Sequence, residues 1–323
     1  MITRFCSVIA FGSLIYVAAY AQVDTCTRTI AVGVFQKGSP REPQAVSGLT
    51  PADFEVKFAG NSTVQSGTFH SGPTRAVFLL DIGRNQTRTE WESLVAIARN
   101  MAEQLPKDSQ LNLITFSDQV EEVVSAGNDA RKLTDSLIRM SPGSKKSNQD
   151  GLFDALDRGA QLFDSARPGD VEVFFSPMGK GGSSKERTLG SKLSASGVRA
   201  FGVVLGTPEF PGITAGSVPS QSIPSAATVT EYPDLFSASE RLAVLTGGMF
   251  VNFRRDPSER QAIKQQEDLA SAISAFVTNY YSLTFVSSSV KRAERVEVKL
   301  KDKKLASATF LFYPTTLYPC PGH

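Results

Sequence analysis

Histidine, cysteine and tryptophan are scarce in this chain, with two, three and one copies among 323 residues. With His70 and His323 the only imidazoles, a histidine-rich zinc site is close to excluded, and chemistry needing a neutral-pH base has few residues to use. An excess of charge is missing too. Lys+Arg 34 against Asp+Glu 32 creates no long-range field, so nucleic acid and anionic membrane surfaces are not expected partners. Hydrophobic residues make up 41% of the chain, which argues against disorder except locally.

Several enzyme signatures are also absent. No Gly-x-Ser-x-Gly elbow occurs, and His70 in its Gly/Ser/Pro segment and His323 at the end are poorly placed to orient a serine or cysteine nucleophile. The Gly179 to Ser184 segment superficially suggests a phosphate loop, but Gly181 follows Lys180 where Ser or Thr is required, and Phe174 stands where the first glycine should be. Asp81 and Asp150 as paired carboxylates of a hydrolase form a minor alternative. The expectation is a protein that is not an enzyme.

What is present begins with a leader. Met1 to Ala21 carries Arg4, an apolar stretch and then Ala19-Tyr20-Ala21, the layout of a signal peptide cleaved after Ala21. This predicts a secreted or periplasmic protein with no stable membrane span after cleavage. Cleavage removes Cys6 and leaves Cys26 and Cys320 near the two mature ends. In an oxidising compartment these predict a disulfide joining the termini, with two free thiols as the alternative.

Between the ends the pattern alternates. Ala76 to Leu80 is an apolar run ending in Asp81, suited to a strand buried on both faces. A helix from Trp91 to Leu105 stops at Pro106, and strands at Leu111 to Phe116, Val171 to Phe175, Val198 to Leu205 and Met249 to Phe253 alternate with further helices, the last running from Glu267 to Tyr280. This predicts an α/β fold around one doubly wound, mostly parallel sheet over residues 73–281. Residues 22–72 and 282–323 read instead as short alternating strands that meet in a small flanking antiparallel β layer, with a hairpin turn at Lys301 to Lys304. The Pro-rich stretch Gly206 to Leu235 reads as a long loop, either functional or a mobile excursion.

Five segments, in order, resemble the von Willebrand factor A-like family, in particular its secreted VWFA-related branch of acidobacterial type. They are Leu49-Thr50-Pro51-Ala52-Asp53-Phe54-Glu55-Val56, Val77-Phe78-Leu79-Leu80-Asp81, Gly151-Leu152-Phe153-Asp154-Ala155-Leu156, Leu245-Thr246-Gly247-Gly248 and Tyr280-Tyr281-Ser282-Leu283. The resemblance implies a Rossmann-like fold and a binding module that engages a protein through a metal-ion-dependent adhesion site. The family's Asp-x-Ser-x-Ser pattern is altered here to Asp81-Ile82-Gly83-Arg84-Asn85, Asp150 replaces a threonine, and Ser176-Pro177 stands where an aspartate is usual.

The site is therefore expected to be degenerate. Asp81, Asn85 and Asp150 are its candidate metal ligands, and Gly83, Arg84, Ser176 and Pro177 its binding edge. No cofactor is expected, with a weakly bound Mg²⁺ or Ca²⁺ as the alternative, and Arg84 is expected to replace the ion by pairing with Asp81 or Asp150. The expected partner is an unknown protein or envelope macromolecule. A metal-independent scaffold of the cell envelope is the alternative function. Asn61-Ser62-Thr63 and Asn85-Gln86-Thr87 match glycosylation sequons, discounted because the resemblance points to bacteria.

Overall fold

The computed structural model describes residues 25–38, 43–58, 61–177, 185–205, 238–253, 258–288 and 293–319. In chain order the elements are β1 (Thr25–Gln36), a 3-10 turn (Pro51–Asp53), β2 (Phe54–Lys57), β3 (Asn61–Ser62), β4 (Val64–Ser71), β5 (Arg75–Asp81) and α1 (Arg88–Gln104). Next come β6 (Gln110–Phe116), β7 (Val120–Gly127), α2 (Ala130–Arg139), α3 (Gln149–Gln161), β8 (Val171–Pro177), α4 (Glu186–Ser196) and β9 (Arg199–Leu205). The remainder are α5 (Ala238–Leu245), β10 (Phe250–Phe253), α6 (Glu259–Thr278), β11 (Asn279–Ser288), β12 (Glu294–Arg295), β13 (Glu297–Leu300), α7 (Lys303–Ala308), β14 (Thr309–Phe312) and β15 (Thr316–Leu317).

Six strands form the central sheet in the order β10-β9-β8-β5-β6-β7. Every neighbouring pair is parallel except β6 with β7. Ala76 to Leu80 of β5 are fully buried, because helices cover both faces of the sheet. On one face, Leu94, Ile97, Ala98 and Met101 of α1 share a cluster with Leu269, Ile273 and Phe276 of α6. On the other, Leu152 and Leu156 of α3 pack with Leu189 and Leu193 of α4 and Leu242 of α5. These positions recur three and four residues apart, so each helix turns one apolar stripe to the sheet.

The strand order runs outward in both directions from β5 and β8, so the sheet's switch point lies between them. The helices after these two strands leave toward opposite faces, which opens a crevice beyond the strands' carboxyl ends. Asp81 closes β5 and Ser176 lies near the end of β8, so both stand at that crevice.

The flanking β structure expected from the two termini is built as two packed sheets. One has the order β14-β1-β11-β4 and the other β13-β2-β3, with a separate β12-β15 ribbon. Ile30, Val32 and Val34 of β1, Phe54 and Val56 of β2, Tyr281, Leu283 and Phe285 of β11 and Val298 of β13 fill the space between them. Phe35 faces away from this sandwich and meets Phe276 of α6 edge-on at 4.7 Å, tying β1 to the α/β layer.

Three sequence expectations change here. Lys301 to Lys304 is not a hairpin turn: Asp302 caps the short helix α7 through the amides of Lys304 and Leu305, and β13 and β14 lie in different sheets. The helix expected to reach Tyr280 ends at Thr278, and Asn279 begins β11 without an intervening loop. Strand β7 was not anticipated, because Glu121 and Glu122 mask a short half-exposed edge strand whose partner is set by the tight turn at Ser117 to Gln119.

Candidate functional site

Asp81 is 1% exposed, yet its carboxylate is well supplied with donors. The amide of Gly83 donates to Oδ1 at 2.8 Å, the Ser147 hydroxyl donates to the same oxygen, and the Ser176 hydroxyl donates to Oδ2 at 2.7 Å. Burial pushes the Asp81 carboxyl above the usual carboxylate range, while the Ser147, Ser176 and Gly83 donors pull it back. Hydrogen bonds to an ionised group each contribute about 1.5–3 kcal/mol, enough for a few of them to offset much of the desolvation of one carboxylate.

The surrounding backbone holds these donors in place. The Ile82 amide donates to Phe116 O at 2.8 Å, that of Gly143 to Ile82 O at 2.5 Å and that of Arg84 to Lys145 O at 2.8 Å. The Asn85 side-chain oxygen accepts from the Ser147 amide at 3.0 Å. Residues 82–85 and 143–147 thus run side by side across the crevice. Behind them Gln86 Nε2 donates to Asp81 O at 2.8 Å. Its Oε1 is buried with no partner among the described residues.

Gly83 is indispensable to this arrangement for a steric reason. A Cβ at Gly83 would lie 1.8 Å from Ser147 Oγ and 2.7 Å from Asn85 Oδ1. The space that a side chain at position 83 would need is filled by Ser147, from a distant segment of the chain.

Asp81 and Asn85 are therefore brought together, through Ser147. Asp150 is exposed in the first turn of α3, whose amino end is capped instead by Asn148, accepting from the Gly151 amide at 2.7 Å. Arg84 is exposed, and among the described residues the Asp81 carboxylate is met by Gly83, Ser147 and Ser176 rather than by Arg84, the pairing expected to replace the ion. The carboxylate already has donors closer at hand, and Arg84 extends outward from the edge. Ser176 contributes its hydroxyl, and Pro177 ends β8 opposite Leu205. Ser147 and Gln86 carried no recognisable signal in the sequence. The Gly179 to Ser184 segment and the Gly206 to Leu235 loop lie outside the described residues, as do the leader, Cys320 and His323.

The oxygens collected here do not fit a divalent cation as they stand. Magnesium requires near-octahedral oxygen ligands, but the Ser147 and Ser176 hydrogens are directed at Asp81 and the Asn85 oxygen is turned to the Ser147 amide. Among the described residues no three His, Cys, Asp or Glu side chains cluster around a possible ion position.

His70 is remote from this edge. It stacks on Tyr280 with ring centres 4.7 Å apart and bonds Ser282 Oγ at 2.8 Å. The other side of Tyr280 meets Arg199, whose guanidinium carbon is 4.6 Å from the ring centre. Arg199 opens β9, at the end of the parallel sheet opposite Asp81.

No protein-family model matches the sequence, and no curated protein matches it. In structure the chain is similar to BatB from Bacteroides thetaiotaomicron, with a TM-score of 0.41 and 12% identity over 62% of this chain and 98% of that one. It is also similar to proximal thread matrix protein 1 of the mussel byssus, with a TM-score of 0.42 and 11% identity over 64% of this chain and 48% of that one. A von Willebrand factor type A protein from Catenulispora acidiphila gives a TM-score of 0.41 and 10% identity over 93% of this chain and 74% of that one. The strand order, the antiparallel edge strand and the helices on both faces give a doubly wound, mostly parallel α/β layer. Among the described residues no helix is long and apolar enough to cross a membrane.

Proposed function

We propose that this protein is an exported, non-catalytic binding module that engages a protein or envelope macromolecule through the carboxyl edge of its parallel sheet, without an adhesion metal. The observation that carries this reading is the Asp81 carboxylate, buried at the switch point and already held by Gly83, Ser147 and Ser176. A carboxylate so engaged is poorly placed to act as a general base, and Asp150 is not among its partners. The same crevice leaves Arg84 exposed on a braced loop, a surface built to meet something outside the chain.

Export rests on the leader at Met1 to Ala21. The von Willebrand factor A-like fold accommodates both binding modules and assembly scaffolds, and the exposed Arg84 favours binding.

The test is affinity capture from an envelope extract, with wild type, Arg84→Glu and a distal control, Lys304→Glu. Binding at this edge predicts a partner retained by wild type and by the control, lost with Arg84→Glu, and insensitive to chelator. Retention by Arg84→Glu would move the surface elsewhere; loss on chelation would restore the metal.

A further inference from the structure

The Asp81 site contains an exchange of parts between two distant segments. Gly83 has no side chain, and the position a side chain would occupy is filled by the Ser147 hydroxyl, 1.8 Å from the place of a Cβ. That hydroxyl donates to Asp81, the amide of the same residue donates to Asn85 Oδ1 at 3.0 Å, and Arg84 and Lys145 are joined through their backbones at 2.8 Å. One residue of the 143–147 segment thus satisfies the buried acid and fastens that segment to the 82–85 loop. Ser176 supplies the second hydroxyl, from β8 on the other side of the switch point.

We infer that Ser147 is the positioning residue of this edge, a hydroxyl lock on Asp81 that occupies the place of both a side chain at position 83 and a bound cation. The inference rests on the reading of this edge as the binding surface, and it adds the means by which the surface keeps its shape without an ion. The physical requirement is general: a buried carboxylate must be met by a cation or by donors. Gly83 and Ser147 can then be exchanged only together. A serine at 83 needs the room that Ser147 now takes, and a small residue at 147 leaves Asp81 short of a donor unless position 83 supplies it.

Thermal melts of four proteins test the lock: wild type, Ser147→Ala, Gly83→Ser and Gly83→Ser/Ser147→Gly. Each is melted in chelator and with Mg²⁺, Mn²⁺ or Ca²⁺ in turn. Wild type is expected to melt at the same temperature in all four solutions. Ser147→Ala should melt roughly 2–6 °C lower at neutral pH. Gly83→Ser should be lowered at least as far, and the double variant should recover most of the loss, so that the two changes are strongly non-additive.

A saturable rise in wild-type melting temperature with any of the cations would overturn the inference, as would strictly additive losses. If Gly83→Ser does not fold, the rescue of the Ser147→Ala loss in Ser147→Thr, which keeps the hydroxyl, decides the matter: no rescue overturns the lock. None of these melts depends on a partner. Capture insensitive to Arg84→Glu would therefore move the binding surface away from this edge while leaving the lock to its own result.

Discussion

Glu172 is the residue most at odds with its surroundings. It is fully buried on β8, and among the described residues neither carboxylate oxygen has a hydrogen-bond partner. Helix α3 crosses so closely at Gly159 that a Cβ there would lie 2.5 Å from Glu172 Oε1. Burial, with a smaller contribution from Asp157, raises this carboxyl well above its usual value of 4.5, and Lys192 opposes the shift. The folded protein therefore holds a proton that the unfolded chain releases near pH 4.5. Its stabilising effect is complete below that pH and is lost as pH rises through the folded value. Glu172→Met should stabilise the protein by about 1–3 kcal/mol in mildly alkaline urea melts and flatten the decline of stability with pH. An unchanged pH profile would show that the carboxyl finds a partner in solution.

Arg199 is buried as deeply and is satisfied in part, through its two terminal nitrogens but not through Nε. Its guanidinium donates to Phe276 O at 3.3 Å and Val277 O at 2.8 Å, carbonyls at the end of α6, and lies against Tyr280 and Phe201. Burial lowers its pKa to about 10, so the group remains charged at neutral pH and faces the negative end of the helix.

At the level of elements, the direct passage from α6 into β11 is the most demanding feature. Thr278 is the last helical residue and Asn279 the first of the strand, so the turn of the helix sets the register of β11. Tyr281, Leu283 and Phe285 enter the sandwich core, while Ser282 and Thr284 face the other way. Inserting one alanine between Thr278 and Asn279 should exchange these two sets, because side chains alternate along a strand. The insertion is expected to abolish cooperative unfolding of the sandwich, detectable as loss of near-ultraviolet dichroism. A native-like spectrum would mean that a bulge absorbs the extra residue.

The same elements show how far the sequence could be read. The apolar runs of β5, β8 and β9 were legible because strands buried on both faces lack polar interruptions. Helix α1 was legible from its i, i+3 and i+4 spacing and from Pro106. Strands β4 and β7 were not, because an edge strand needs no continuous apolar face and its pairing is decided by partners elsewhere. The candidate site was half legible. Asp81, Asn85 and Ser176 stand on or near recognisable motifs, whereas Ser147 lies in a polar loop with nothing local to distinguish it.

Across the whole molecule, the two ends meet in the β sandwich. Thr25 to Val32 of β1 pair with β11, and Arg28 Nη1 donates to Tyr318 O at 2.9 Å. Cys26 lies two residues before Arg28 and Cys320 two residues after Tyr318, although Cys320 is outside the described residues. The proposed Cys26 to Cys320 disulfide is in keeping with this approach of the ends. It should appear as one linked peptide pair in a non-reducing digest of the protein, and its reduction should cost about 2–4 kcal/mol of stability. Two alkylatable thiols in the unreduced protein would refute it.

Composition and spacing by themselves pointed to the class of fold: continuous apolar runs alternating with amphipathic stretches bury their surfaces together as a covered parallel sheet, and alternating flanks as antiparallel strands. They also placed an aspartate at the end of the first sheet strand. Only the tertiary structure decided what meets that aspartate. The carboxylate is satisfied by whichever donors the fold carries to it, and Ser147 arrives from 66 residues away, a distance in sequence that no local pattern spans.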